Sequence, residues 1–259
     1  MQMFYASFRA GAVLGLVSMA QAIEVGQKPD TPKLPEVDYV VHDGTRPQPV
    51  KVAGAKAVTT PAPADATVLF DGKSMEAWNH AEWVVKDGVM VATKKGIQTK
   101  ESFGDCQLHL EWKIPAGRKV HGQHGGNSGV YLMGRYEIQI QESHTNQTYP
   151  DGQAGAMYGQ FPPRVNPSAP QGEWQSYDIL FTAPKYKDGK VESPARVTVL
   201  HNGVVVHLNQ PFYGPTLHKK LSSYPANHPA KAPINLQFHG DPIEYRNIWV
   251  RGLGAYDGK

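Results

Sequence analysis

The stretch RVTVLHNGVVVHLN, Arg196–Asn209, leaves the chain little choice of local fold. Two runs rich in β-branched residues flank Asn202-Gly203. That dipeptide accepts positive φ at both central positions of a type I′ turn, the turn whose twist matches an antiparallel pair. The same grammar recurs along the chain. WVVKDGVMVAT (Trp83–Thr93) predicts a hairpin across Asp87-Gly88, and TVLFDGK (Thr67–Lys73) a short strand ending in an Asp-Gly turn. CQLHLEWKIP (Cys106–Pro115) alternates, which sends Leu108, Leu110, Trp112 and Ile114 inward and His109 and Glu111 outward. WQSYDILFTAP (Trp174–Pro184) is a further strand. INLQFHG (Ile234–Gly240) and EYRNIWVRGL (Glu244–Leu253) are expected to close the domain as paired strands. Beyond the first 22 residues no stretch has helical periodicity. Many short strands separated by turn signals predict an all-β sandwich.

Composition fits that expectation. A hydrophobic share of 40% and an aromatic share of 10% in 259 residues fill the core of one large β domain or two small ones. The formal charge is +3 with no long basic run behind it, so no nucleic-acid partner is expected. Cys106 is the sole cysteine, which excludes an internal disulfide. It has no basic cluster nearby to make it a nucleophile. Residues 1–22 read as a secretory signal: Arg9, an apolar run Ala10–Ala20, and Ala20-Gln21-Ala22 as cleavage site. The run is too short for a retained span, so a periplasmic or secreted protein without a membrane anchor is expected. Residues 23–66 form a Pro-rich arm, within which the apolar cluster of VDYVVHDGTRPQP (Val37–Pro49) can dock on the domain of residues 67–256.

The candidate site lies in GGNSGVYLMGRYEIQIQE, Gly125–Glu142, two strands around a turn at Met133-Gly134-Arg135. Alternation puts Glu137, Gln139 and Gln141 on one face and Tyr136, Ile138, Ile140 and Glu142 on the other. One carboxylate and two amides in a row suit a sugar with its hydroxyls, or else form a solvated strand face. Ordinary glycoside hydrolysis needs two carboxyl groups flanking one bond. Here amides stand where further acids would be, and Glu142 points away, so two-acid hydrolysis is poorly supported. His239, two residues after Gln237 on one strand face, can act as a general base near neutral pH or simply cap a strand end. Tyr158 and Trp174 offer a stacking wall for a sugar ring, or core aromatics. Asn127 and Ser128 can bond substrate or make a turn. His121 and His124 lack a spaced third ligand and make a weak metal signal. Arg246-Asn247 reads as an edge pair. The long loop Ser143–Gly172 is of a length more often functional than idle.

LFDGKSMEAW, GNSGVYLMGRYEIQIQES, MYGQFPP, GEWQSYDILFTAP, RVTVLHNGVVV, GPT and LQFHGDPIEYRNIWVR, in this order from about Val68 to Leu253, resemble the 3-keto-disaccharide hydrolase domain family. The resemblance implies a concanavalin A-like jelly roll of two curved antiparallel sheets with ligand on the concave face. It also implies export and action on glycosides oxidised to a ketone at C3. Such a ketone acidifies the C2 proton, so one base suffices and the C1 group leaves by β-elimination before water adds. The matching positions Glu137 and His239 are then candidates for the base, with Asn127, Gln139, Gln141, Tyr158 and Gln237 holding substrate. No cofactor is expected. A divalent ion remains open, since concanavalin A-like folds often hold calcium. Two other functions stay open: a non-catalytic carbohydrate-binding module on the same sandwich, and a conventional endoglucanase, which the amides weaken.

Overall fold

The computed structural model describes residues 25–79 and 82–254, so the signal-like segment lies outside the described residues. Two antiparallel sheets pack face to face. The larger has eight strands. From one edge run Val204–Pro211, Arg196–His201, Gln175–Thr182, Cys106–Lys113 and Glu244–Gly252. Then come Val89–Val91 and Val84–Lys86, with Thr67–Phe70 also paired to Glu244–Gly252. The smaller has five: Trp78–Asn79, Ile97–Thr99, Asn235–Leu236, Ser128–Leu132 and Tyr136–Ile140. The predicted all-β, concanavalin A-like jelly-roll sandwich is the observed architecture. No helix among the described residues is long and apolar enough to cross a membrane.

The inward positions are those that alternation selects. Leu108, Leu110 and Trp112 from the large sheet meet Val130, Leu132 and Ile138 from the small one, all buried. Tyr136 places its ring centroid 5.5 Å from Phe181 and 5.1 Å from Phe212. The turns behave as their residues require: Asn202 and Gly203 have φ of 51° and 76°, and Asp87 and Gly88 have 52° and 76°. Cys106 is buried, and that burial, with Asp105 nearby, pushes its thiol up to about 12.

Four expectations need correction. The segments Ile234–Gly240 and Glu244–Leu253 do not pair with each other. Asn235–Leu236 belongs to the small sheet and Glu244–Gly252 to the large one. The chain therefore crosses between layers at Asp241–Ile243, because each strand's apolar residues are needed on a different wall of the core. Arg246 and Asn247 are not an edge pair either. Their strand lies inside the large sheet, flanked by Cys106–Lys113 on one side and by Val89–Val91 and Thr67–Phe70 on the other.

His109 and Glu111 face away from the core as alternation dictates, yet both are fully buried. The arm lies across that outer face. Thr60 accepts hydrogen bonds at its carbonyl from Asn247 Nδ2 (3.1 Å) and Trp249 Nε1 (2.9 Å), and Val58 N donates to Ser176 Oγ (2.9 Å). Beneath it Glu111 accepts from Arg246 Nε (2.7 Å) and Asn247 Nδ2 (2.8 Å), while His109 Nδ1 lies 2.7 Å from Asp178 Oδ1. Burial alone would raise the Glu111 carboxyl, but the His109 ring 3.7 Å away and the hydrogen bonds from Asn247 and Arg246 win and hold it at about 2.

The arm is thus an ordered layer. Val50–Lys51 pairs in parallel with Val165–Asn166, and Leu34 and Val41 are buried. Finally, Trp174 stands on the far side of the large sheet, under Arg246 (4.1 Å) and Lys113 (4.9 Å), and makes no wall with Tyr158. Cation–π contact with strand neighbours holds it there.

Candidate active site

The site is built on the strand Tyr136–Ile140 at the edge of the small sheet. Its odd face, Glu137 and Gln139, looks out of the sandwich, but the strand is not exposed. The long loop closes on its free edge: Gly155 N donates to Gln139 O (2.9 Å), Gln139 N to Ala156 O (3.0 Å) and Tyr158 N to Glu137 O (3.3 Å). That pairing satisfies edge groups that would otherwise solicit another chain. It also roofs a cavity of about 380 Å³.

Glu137, Gln139, Asn127 and Tyr131 form its floor, Tyr149 and Tyr158 a wall, and His124, His218, Lys219 and His239 an exposed rim. Glu137 is only 2% exposed. Burial pushes its carboxyl up to about 8, against the smaller downward pull of a hydrogen bond from Tyr131. Tyr131 lies directly across the ladder from Glu137 and also accepts from Gln237 Nε2 (3.3 Å). With its amide nitrogen turned toward acceptors, Gln139 donates to Ser128 O (2.8 Å) and Glu137 Oε1 (3.2 Å). Across the wall, the Tyr149 and Tyr158 hydroxyls lie 2.8 Å apart, and Tyr158 OH is 3.2 Å from His218 Nδ1. Burial raises both phenols above their ordinary range, so they are neutral donors. Among the residues that line the cavity, Glu137 is the only carboxyl.

The structure therefore gathers Glu137, His239, Asn127, Gln139, Tyr158 and Gln237 around one cavity. Gln141 is not among them: its amide donates to Gly122 O (3.1 Å) and Gly125 O (3.3 Å) and holds the loop before the strand. Ser128 is spent on Gln237 O (2.6 Å) and Tyr245 OH (2.7 Å). His239 sits in the loop after Asn235–Leu236 rather than on a strand. His121 and His124 bond each other's backbone across a tight turn, and His124 alone of the two lines the cavity. No group of three or more His, Cys, Asp or Glu among the described residues is placed to hold a metal ion.

Sequence reasoning missed Gln123, Tyr131, Tyr149, Thr216, His218 and Lys219. Tyr131 was within reach, because alternation from Gly129 puts it on the same face as Glu137. Thr216 closes the GPT motif, and His218 carries no local signal. They arrive because Thr216 N donates to Arg135 O (2.7 Å) and its hydroxyl accepts from Glu137 N (3.0 Å).

The comparisons with known proteins agree with this architecture. A candidate glycosyl hydrolase of Parabacteroides distasonis ATCC 8503 is 37% identical, with a TM-score of 0.71 over 80% of this chain and 100% of that one. A second from the same organism is 27% identical (TM-score 0.51, 73% and 99% covered). A third, at 22% identity (TM-score 0.54, 73% and 94% covered), speaks for the fold alone. No curated protein sequence matches. The family profile of the 3-keto-alpha-glucoside-1,2-lyase-like domain matches residues 65–251. The chain belongs to that family of carbohydrate-active β-sandwich domains.

Proposed function

We propose that the protein cleaves 3-keto-glycosides by elimination across C1–C2 followed by hydration, which together amount to hydrolysis. The observation that supports this most is the single carboxyl in the cavity lining. A two-acid glycosidase needs a second at a defined separation, whereas a ketone-dependent elimination needs one base and a group to stabilise an enolate.

In this reading His239, exposed at the rim, takes the proton from C2. Electrons of the C2–H bond pass toward C3, whose carbonyl oxygen gains negative charge. Glu137 is about nine-tenths protonated at pH 7 if its carboxyl titrates near 8, so it donates a hydrogen bond to that oxygen. Gln139 donates to Oε1 of this carboxyl, which lines the cavity beside Tyr131. A buried neutral carboxylic acid beside a tyrosine is a known way to stabilise an enolate. Collapse of the enolate forms the C1–C2 double bond and breaks the C1–O bond, and the departing oxygen takes a proton. Water then adds at C1, leaving the 3-keto-sugar. Asn127, Gln237 and the Tyr149–Tyr158 wall hold the ring hydroxyls. Export follows from the signal-like first 22 residues and belongs to the same proposal.

The test is turnover of a 3-keto-glucoside beside the same glucoside unoxidised. Release from the keto form alone, lost in His239→Ala and much reduced in Glu137→Gln, supports the proposal. Release from both compounds would return ordinary hydrolysis. Saturable binding without release from either would make the domain a binding module.

A further inference from the structure

The family match begins at residue 65, yet a residue of the arm stands directly behind the wall of the cavity. His42 is fully buried, 109 positions before its partner Asp151, whose Oδ2 accepts from His42 N at 2.9 Å. The ring packs on three groups of the wall. Its centroid lies 4.2 Å from that of Tyr149, 4.9 Å from Tyr158 and 5.4 Å from His218. Nε2 accepts from Lys219 N (3.4 Å), and Nδ1 lies 3.6 Å from Asp151 Oδ2.

The arm is folded to deliver this ring. His42 has φ of 60°, in the left-handed region where a non-glycine residue is held only by its surroundings. Those surroundings are specific: Asp43 Oδ2 accepts from Val40 N (3.2 Å), Asp43 Oδ1 accepts from Thr45 N (3.0 Å), and Val41 N donates to Pro32 O (2.9 Å). The turn is tied to the long loop by Gln48 Nε2 to Thr148 O (2.8 Å) and by Arg46 Nη1 to Gln160 O (3.2 Å). A solvated tether has no use for a strained, fully buried histidine that bonds two loops of the site.

We propose that the arm is part of the active site and that His42 is a positioning residue for the Tyr149–Tyr158–His218 wall. It does not line the cavity itself. Its ring fills the space behind the two phenols and holds the hydroxyl relay Tyr149, Tyr158, His218 toward the substrate. Specificity for the sugar therefore depends on a segment that precedes the family domain. This inference rests on the function proposed above.

The experiment compares the full chain with His42→Ala, His42→Asn and His42→Phe. Asn tolerates the left-handed backbone and covers the case in which Ala fails to fold, and Phe restores a ring. Four quantities are read: kcat and KM with a 3-keto-glucoside, its calorimetric Kd, and the His218 ring signals by NMR, which report the Tyr158 bond whatever the substrate is. His42→Ala or His42→Asn is expected to raise KM and Kd tenfold or more with kcat changed less than about threefold. The His218 signals move, and His42→Phe recovers most of the affinity. A cooperatively folded His42→Ala or His42→Asn protein with KM and Kd within twofold of wild type and unshifted His218 signals would overturn the inference. So would a loss confined to melting temperature. If wild type itself neither binds nor cleaves the keto-glucoside, the proposed function fails, and unmoved or moved His218 signals still decide the role of His42.

Discussion

The Glu137 carboxyl lies over the backbone of Gly129. A Cβ on Gly129 would come within 2.3 Å of Glu137 Oε1 and 3.0 Å of its carboxyl carbon. Gly129 faces Gln139 across the ladder, one diagonal step from Glu137, and its missing side chain is the space the acid occupies. Gly129→Ala must therefore push the acid aside. We expect kcat/KM to fall at least a hundredfold with a stability loss of about 1–3 kcal/mol, the usual cost of overpacking. Kinetics and denaturant melts check both.

Glu137→Gln should lose much of the activity, since an amide is a weaker donor than a carboxylic acid, and yet be more stable at alkaline pH. Below about pH 4.5 the acid is protonated in folded and unfolded chains alike, so it contributes no difference. Between there and about 8 the unfolded chain releases the proton while the fold retains it, so stability falls as pH rises and levels off above 8. A shift from 4.5 to about 8 corresponds to roughly 5 kcal/mol at most. Gln, permanently neutral, escapes the penalty. Melting temperatures of the two proteins should converge at pH 4 and separate in the variant's favour at pH 9.

The pH profile of kcat/KM should bend downward near pH 8, losing about tenfold per unit beyond it, as the Glu137 hydrogen is lost. A profile that instead climbs through pH 8 would make ionised Glu137 the base and displace His239.

His239→Ala should cost activity without costing fold. The residue is exposed in the loop after Asn235–Leu236. Removing a general base typically lowers rate by about 10²–10⁴, whereas an exposed substitution shifts stability by about 0.5 kcal/mol or less. Equal melting temperatures with a collapsed kcat are the expected pair of readings.

Glu111→Ala should loosen the arm. It removes the acceptor shared by Arg246 and Asn247, and Asn247 also bonds Thr60 of the arm. Loss of a buried carboxylate with charged partners costs about 1–3 kcal/mol or more. Limited proteolysis near residues 58–65 should speed up. Because Glu111 is held at about 2, its stabilisation is complete above about pH 4.5 and is lost as pH falls toward 2. The variant should therefore show a flatter acid limb than wild type.

Much of the fold was legible in local chemistry. Asn202-Gly203 and Asp87-Gly88 placed two hairpins, and alternation in Cys106–Lys113 and Tyr136–Ile140 chose the core face of each sheet. The row of Glu137 and Gln139, with His239 and Tyr158, pointed to one site, and these residues do converge. The same alternation named the outward face of His109 and Glu111, but it cannot tell that the arm covers that face. Gln141 shares the strand face of Glu137 and is nonetheless drawn into holding Gly122 and Gly125.

The sequence by itself determined what depends on neighbours in the chain: turn types, strand faces, the carboxylate-and-amide row, and the family those motifs carry. Only the tertiary structure decided what depends on distant segments meeting. It brought His42 of the arm against Tyr149 and Tyr158, His218 to Tyr158, and Thr60 over the outer face of the larger sheet. It also turned Glu137 from a strand-face acid into a buried one that holds its proton to about pH 8. The physical reason is that desolvation is set by everything packed around a group, and the groups around Glu137 come from loops far apart in sequence.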